Sequence, residues 1–362
     1  MRRFFKIALI SVITLAVLGS TSLFLFFRDN HGNLSGSIPE QIDQYLSNQE
    51  FQGAVLISMD RKVLFEKGYG MATSSVQNNT NTLYQIASLT KSFTAVAIMQ
   101  LAEKQMLHID DPIAKYFPDF PNADTITIGH LLSHSSGIPD YLKPDYQFDF
   151  SKVWEPNDLI EVVRNEPLEF TPGESFSYSN TGYVLLGLII EQVSGQLYSE
   201  YIEEQIFKPS GMHDSMFETR EGSQVAEGHV EGKTGPHIHN SAAYAAGNII
   251  STAEDLALFD DALRQNLLVS EETTKLMGTT QASKFPHQHG YGWYTQDVMG
   301  YKSVGHSGGY PSGFRHYVTR LQDIELTIIV LSNEATVNSK KINRNLTSIV
   351  LQEPIWFWEE RF

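Results

Sequence analysis

Ser88 and Lys91 stand three residues apart in Gln85-Ile-Ala-Ser88-Leu-Thr-Lys91-Ser-Phe-Thr-Ala-Val-Ala-Ile-Met-Gln-Leu101. A serine hydroxyl is a weak nucleophile. It attacks only where a neighbour takes its proton and the local field favours negative charge. This stretch is rich in good helix formers, and Phe93, Ala97 and Leu101 recur at four-residue spacing, so it predicts a helix from Ser88 onward. A serine at a helix start is a favoured cap and sits at the positive end of the helix dipole. Three residues on, Lys91 falls on the same face. Alone, such a pair is more simply a capping serine and a surface lysine. Two further stretches change that balance.

The second is Tyr178-Ser-Asn180, in a Ser/Tyr/Asn loop just before a strongly apolar run. A tyrosine oxygen near an ammonium can act as general base and then as general acid to a leaving group. An asparagine can accept from a lysine and donate to a substrate amide. The plainer reading is a loop with a helix cap. The third has two candidates of basic-hydroxyl-glycine pattern, Lys233-Thr-Gly235 and His306-Ser307-Gly308. Pro236 follows the first and would spoil a central strand. His306 ends a plausible strand, and Gly308-Gly309 would let a substrate approach the backbone closely. The His306 set is therefore preferred.

The elements that must position these residues follow from the rest of the chain. Its 362 residues, 41% hydrophobic and 11% aromatic, suffice for one large domain or two subdomains with a substantial core. There is no cysteine, which excludes disulfides, thiolate metal sites and a thiol nucleophile. The net charge is −16. Arg2, Arg3, Lys6 and Arg28 precede Asp29, so the remainder holds 22 basic against 42 acidic side chains. That balance repels phosphates and argues against nucleic acid as a partner. It reads as a solubility device.

Ile7 to Phe27 is apolar for 21 residues, interrupted only by Ser, Thr and Gly. As a helix it would span about 31 Å, the thickness of a bilayer core. Arg2, Arg3 and Lys6 before it predict a cytoplasmic N-terminus and an exported remainder. The core is long for a signal peptide, and Leu23-Phe-Leu-Phe-Phe27 keeps its end bulky. An uncleaved single-pass anchor in the cell membrane is therefore preferred over secretion after cleavage.

Residues 29–37 read as a polar linker. Ile38-Pro39 opens a helix to about Asn48 with Ile42, Tyr45 and Leu46 on one face. Gly53–Met59 and Lys62–Gly68 read as strands joined by a tight turn. From 105 to 244 the chain looks helical and loop-rich. Ile128–His134 is a short helix, Asn157–Val163 is another capped by Asn157, and Thr181–Glu191 is a core helix stopped near Gly195. Ala245–Ile250 reads as a strand, and Ser251-Thr-Ala-Glu254 as a capping box for a helix to Arg264. Strands are expected over Gly290–Tyr294, Tyr301–Ser307, Phe314–Arg320 and Leu326–Leu331, then a helix from Ser339 to Leu351. The fold class is α/β: an antiparallel sheet of early and late strands, flanked by helices, with an inserted, mainly helical subdomain. The aromatic tail at 353–362 reads as packing on the domain, with interfacial membrane contact as the alternative.

Taken together, Ser88-Leu-Thr-Lys91, Ile128-Gly-His-Leu-Leu-Ser-His-Ser-Ser-Gly137, Tyr178-Ser-Asn180, Ala246-Gly247 through Ser251-Thr-Ala-Glu-Asp255, and His306-Ser-Gly-Gly309 resemble the serine β-lactamase and penicillin-binding-protein superfamily. That group includes class C β-lactamases, D,D-peptidases, esterases and D-aminopeptidases. The resemblance covers residues 38–352. It implies a β-lactamase/transpeptidase-like fold: a sheet subdomain of about 38–87 and 245–352, a helical subdomain of about 105–244, and the nucleophile helix 88–104 between them. It also implies roles. Ser88 would be acylated. Lys91 would take its proton, directly or through Tyr178, and Tyr178 would protonate the leaving group. Asn180 would orient Lys91 and the substrate. His306 and Ser307 would hold a carboxylate or polar group, and the backbone N–H groups of Ser88 and Gly309 would form an oxyanion hole. No metal or cofactor is expected.

Two departures stand out. The third motif starts with His rather than Lys, closer to D,D-peptidases and esterases, and a histidine's grip on a carboxylate would depend on pH. No glutamate motif for positioning a deacylating water is evident, which argues against fast β-lactam hydrolysis. His237-Ile-His239 and His287-Gln-His289 each place two rings on one side of a strand. Without an accompanying acid or cysteine cluster they read as loop histidines rather than metal ligands. His130 and His134 lie one helical turn apart, in what the family pattern implies is a structural loop. The leading expectation is a membrane-anchored extracytoplasmic serine hydrolase acting on small-molecule or peptidoglycan-type substrates, D-alanyl peptides or esters above all. The alternatives are a small-molecule carboxylesterase or D-aminopeptidase, and a slowly deacylating penicillin binder.

Overall fold

Successive side chains of a strand point to opposite faces, and the strand Gly53–Met59 (β1) is apolar on both. Val55 and Ile57 face one cluster, Ala54 and Leu56 another. Leu326–Ser332 does the same, with Ile328 and Val330 on one side and Ile329 and Leu331 on the other. A sheet of this kind must be covered on both faces. The computed structural model describes residues 34–220 and 222–354, and it shows both covers.

The sheet has eight strands: β1, Lys62–Tyr69 (β2), Ala282–Lys284 (β3), His287–His289 (β4), Tyr294–Val298 (β5), Tyr301–Gly309 (β6), Arg315–Leu321 (β7) and Leu326–Ser332 (β8). The spatial order is β2-β1-β8-β7-β6-β5-β4-β3, and every pairing is antiparallel. Early and late strands meet directly, with Ala54 opposite Leu331. Two helices cover the outer face. Ile38–Asn48 (α1) buries the expected Ile42, Tyr45 and Leu46. Ser339–Leu351 (α6), capped by the Asn338 side chain on the Lys341 N–H, buries Ile342, Leu346, Ile349 and Val350 beside them.

The inner face carries Thr90–Glu103 (α2), Ile128–Leu132 (α3), Asn180–Ser194 (α4) and Ala253–Arg264 (α5). A helix apolar on all sides belongs in an interior. Every residue of α2 from Thr90 to Leu101 is buried, as is every residue of α4 from Asn180 to Ile190. Phe93 of α2 stacks on Phe259 of α5 with centroids 4.0 Å apart. Gly195 ends α4 in the left-handed conformation that favours glycine.

Several expected elements differ. The helix expected from Ser88 starts at Thr90, behind a 3₁₀ turn, Ala87–Leu89, that holds Ser88. Ala87 takes φ +50°, so the chain bends sharply there and Ser88 is not a cap. The strand expected over Ala245–Ile250 is a 3₁₀ turn, Tyr244–Ala246, with only Ile250–Ser251 extended. Ala245 lies so close to Gly187 of α4 that a Cβ there would meet its own at 2.5 Å, a fit that small residues permit. Helix α5 is capped by Thr252, not Ser251. The strand expected over Gly290–Tyr294 begins only at Tyr294, because Gly292 turns at φ +79° against α2. The β3–β4 hairpin is too short to show a period. The anchor at 1–28, most of the linker, and nearly all of the tail at 353–362 lie outside the described residues. Among the described residues no helix is long and apolar enough to cross a membrane.

Candidate active site

Four separate segments meet at Ser88. Helix α2 carries Lys91 one turn further on, fully buried, with its Nζ 3.2 Å from Ser88 Oγ. The same nitrogen lies 2.7 Å from Asn180 Oδ1 and 2.8 Å from the Ala246 carbonyl oxygen. Asn180 opens α4, and Ala246 closes the 3₁₀ turn that packs on α4. Burial disfavours the charged amine and pulls the Lys91 pKa down from 10.5 to about 7, against the opposing pull of Asp140. A neutral amine has two N–H bonds and one lone pair. Two acceptors take the N–H bonds, and the lone pair is left for the Ser88 hydroxyl.

Tyr178 lies just before α4 with its ring 4.9 Å from Lys91 Nζ and its phenol within hydrogen-bonding reach of Ser88. Burial, with Tyr294 nearby, pushes its pKa well above 10, so the group stays a phenol at neutral pH. It can donate a proton but does not sit ready as a phenolate base.

On the other side stands β6. His306 is fully buried, and its Nδ1 donates to the Ser307 carbonyl oxygen at 2.6 Å. Burial, helped by His289 and Lys91, holds the ring well below its usual pKa. The ring is therefore neutral, and the pH-dependent grip on a carboxylate expected from the sequence does not follow from this geometry. Ser307 is half-buried and lines a groove of about 1180 Å³ with Gly309, Tyr294, His287 and Arg315.

Gly308 and Gly309 divide their work. A Cβ on Gly308 would lie 2.3 Å from the Ile86 carbonyl oxygen, so Gly308 lets β6 press against the turn that carries Ser88. That is backbone against backbone rather than substrate against backbone. Gly309 is exposed. Pairing of β6 with β5 stops at Gly305 opposite Tyr294, which leaves the end of β6 with one free edge. The Tyr310 N–H donates to the Phe314 carbonyl, so by the alternation of an antiparallel ladder Gly309, opposite Arg315, turns its own N–H toward that free edge.

The comparisons with known proteins agree with this arrangement. The beta-lactamase family profile matches residues 39–350. The chain belongs to the beta-lactamase family. It is 33% identical over 311 residues to penicillin-binding protein 4* of Bacillus subtilis, covering 79% of this chain and 68% of that one. It is 32% identical over 324 residues to the putative penicillin-binding protein PbpX of the same organism, covering 87% and 79%. The octameric penicillin-binding protein homologue from Pyrococcus abyssi superposes with a TM-score of 0.79 at 31% identity, over 90% of this chain and 80% of that one. The protein is thus a serine hydrolase with the β-lactamase/transpeptidase-like fold.

Two contributors to this beta-lactamase-family site were not singled out in the sequence. Asp140, mostly buried, accepts from Asn180 Nδ2 with Oδ2 at 3.0 Å and Oδ1 at 3.2 Å. Burial raises its pKa while its own hydrogen bonds and Lys91 oppose the rise. Its place just past Gly137-Ile-Pro139 was the available signal. The other is the Ala246 carbonyl, which no side-chain pattern can reveal. Lys233, the rejected basic residue, is exposed on a separate hairpin, where Lys233–Thr234 pairs with His229–Val230. His237 and His239 are not on a strand, and His239 bonds Ser241. His287 and His289 do share a strand face, each stacked on Phe176.

Proposed function

We propose that this protein is a membrane-anchored, extracytoplasmic hydrolase that works through an acyl-enzyme on D-alanyl peptides or esters of the cell wall. The observation that carries the chemistry is the Lys91 amine, with two fixed acceptors for its N–H bonds and the Ser88 oxygen at its remaining position. Lys91 takes the Ser88 proton as Ser88 Oγ attacks the carbonyl carbon. The oxyanion is met by the N–H groups of Ser88 and Gly309, the kind of contact that is usually a large catalytic term. Tyr178, a phenol at rest, gives its hydrogen to the departing oxygen or nitrogen and is refilled from Lys91. Asn180 orients Lys91. His306, Ser307 and Gly308 shape the wall on which the substrate lies, and an extended peptide can pair with the free edge of β6. No metal or cofactor enters these steps.

Two relatives carry penicillin-binding names, which supports β-lactam recognition here. The 21-residue apolar stretch behind Arg2, Arg3 and Lys6 supports the anchor and, with it, a hydrolase domain, 38–352, outside the cell. The test is covalent labelling of the full-length protein by a fluorescent penicillin, run beside D-alanine release from a peptide ending in D-Ala-D-Ala. Label and release that both vanish in Ser88→Ala are the expected result. Label that survives Ser88→Ala removes the nucleophile from the proposal. Turnover of short-chain esters without D-alanine release replaces the cell-wall substrate with a small-molecule ester.

A further inference from the structure

His134 follows helix α3 in a backbone conformation few bulky residues adopt, with φ +56°. Its ring is buried. One residue here grips the Tyr178 segment at three points. The His134 carbonyl accepts the Ser177 N–H at 3.0 Å. The His134 Nδ1 accepts the Ser179 N–H at 3.1 Å. Between those bonds the His134 ring lies on the Tyr178 ring, with centroids 4.2 Å apart and 28° between the planes. Both peptide neighbours of Tyr178 and its aromatic face are thereby fixed by a single side chain and its carbonyl.

The tautomer is fixed as well. A ring nitrogen that accepts from a backbone N–H carries no hydrogen, so the proton of the neutral ring sits on Nε2. Burial, with His289, Lys91 and His306 close by, keeps the ring neutral. A second proton on Nδ1 would set donor against donor at Ser179.

We propose that His134 is a positioning residue for Tyr178, aiming the phenol at Ser88 and at the leaving group. This rests on the reading of Tyr178 as the proton donor to that group. The phenol oxygen is at the far end of the side chain, where a small tilt of the ring moves it most. A misplacement of about 1 Å costs on the order of a hundredfold in rate. The stacked ring and the two flanking hydrogen bonds oppose that tilt.

The experiment is a double-mutant cycle in the full-length protein, read with two acyl donors. Acylation by a fluorescent penicillin breaks a C–N bond, and the departing nitrogen needs a proton. Acylation by p-nitrophenyl acetate releases a phenolate that leaves without one. His134→Asn keeps an acceptor for Ser179 and tolerates positive φ but removes the ring face. His134→Phe keeps the face and removes the acceptor. Each is expected to slow penicillin acylation at least about tenfold more than ester acylation, within the range of a misdirected general acid. In a Tyr178→Phe background, His134→Asn should add less than about twofold, since the two residues act as one unit. Equal losses on both donors, or losses that multiply in the Tyr178→Phe background, overturn the proposal. If His134→Phe does not fold, as circular dichroism shows, His134→Asn decides alone. Unimpaired penicillin acylation in Tyr178→Phe overturns the reading of Tyr178 itself, and the proposal with it. A large loss in Tyr178→Phe with none in the His134 variants overturns the positioning role alone.

Discussion

Asp140 holds the carboxamide of Asn180 with both carboxylate oxygens, at 3.0 and 3.2 Å, and so turns the amide oxygen toward Lys91. The carboxylate also pulls the Lys91 pKa up against burial. Asp140→Asn removes that charge, so the Lys91 pKa should fall further and the acid limb of the acylation profile should move to lower pH. The maximal rate should drop as well, because the second amide cannot hold Asn180 with two acceptors. An acid limb that stays put or moves upward would show that Asp140 does not act on Lys91.

Lys91 itself sets a pH signature. Below about 7 the amine is protonated, uses all its hydrogens on Ser88, Asn180 and Ala246, and cannot take another. Penicillin acylation should rise about tenfold per unit below that point and level off above it. Stability carries the same group with a definite sign. The lysine pKa is lower folded (about 7) than unfolded (10.5), so the unfolded chain holds more protons between those values. The folding penalty is full below pH 7 and fades as pH rises toward 10.5. Urea unfolding at pH 7.5 to 9 should show wild type gaining on Lys91→Met by up to about 1.4 kcal/mol per pH unit. Parallel curves would mean that Lys91 is not depressed.

Gly308 offers a steric test. Its missing Cβ would sit 2.3 Å from the Ile86 carbonyl oxygen, a backbone atom with no rotamer to yield. Gly308→Ala should push β6 away from the Ser88 turn. The expected cost is about 1–3 kcal/mol in urea unfolding, as for other overpacked sites. Acylation should slow in step. A variant with wild-type midpoint and rate would show that β6 approaches that turn less closely.

The two basic-hydroxyl-glycine stretches can be told apart directly. Lys233 is exposed on its hairpin, so Lys233→Ala should leave kcat/KM within about twofold, as for most surface changes. His306 is buried between Tyr178 and Tyr294, and His306→Ala should lower kcat/KM at least about tenfold. The reverse pattern would move the third motif to Lys233.

The site was legible from sequence wherever one local pattern carries both the fold and the chemistry. Ser88 and Lys91 share a face because three residues along a helical turn bring side chains together, and this held although the helix proper starts two residues later. Asn180 was exposed to view by the apolar run it opens, and His306 by the strand that carries it. The outer helices were equally plain, since Ile42, Tyr45 and Leu46 repeat at helical spacing. The 3₁₀ turn at Tyr244–Ala246 and the β3–β4 hairpin were not, because neither is long enough to display a period.

By itself, then, the amino-acid order determined the family to which this protein belongs and pointed to Ser88, Lys91, Tyr178 and Asn180 as side chains able to meet. Periodicity and motif spacing are properties of a chain read locally. Only the tertiary structure decided how those groups behave. The Lys91 amine near pH 7, the neutral His306, the Asp140 grip on Asn180, the Ala246 carbonyl and the His134 clamp all arise between segments remote in the chain; Lys91 and Ala246 are 155 positions apart. Burial and backbone approach set these properties, and both depend on which distant segment arrives.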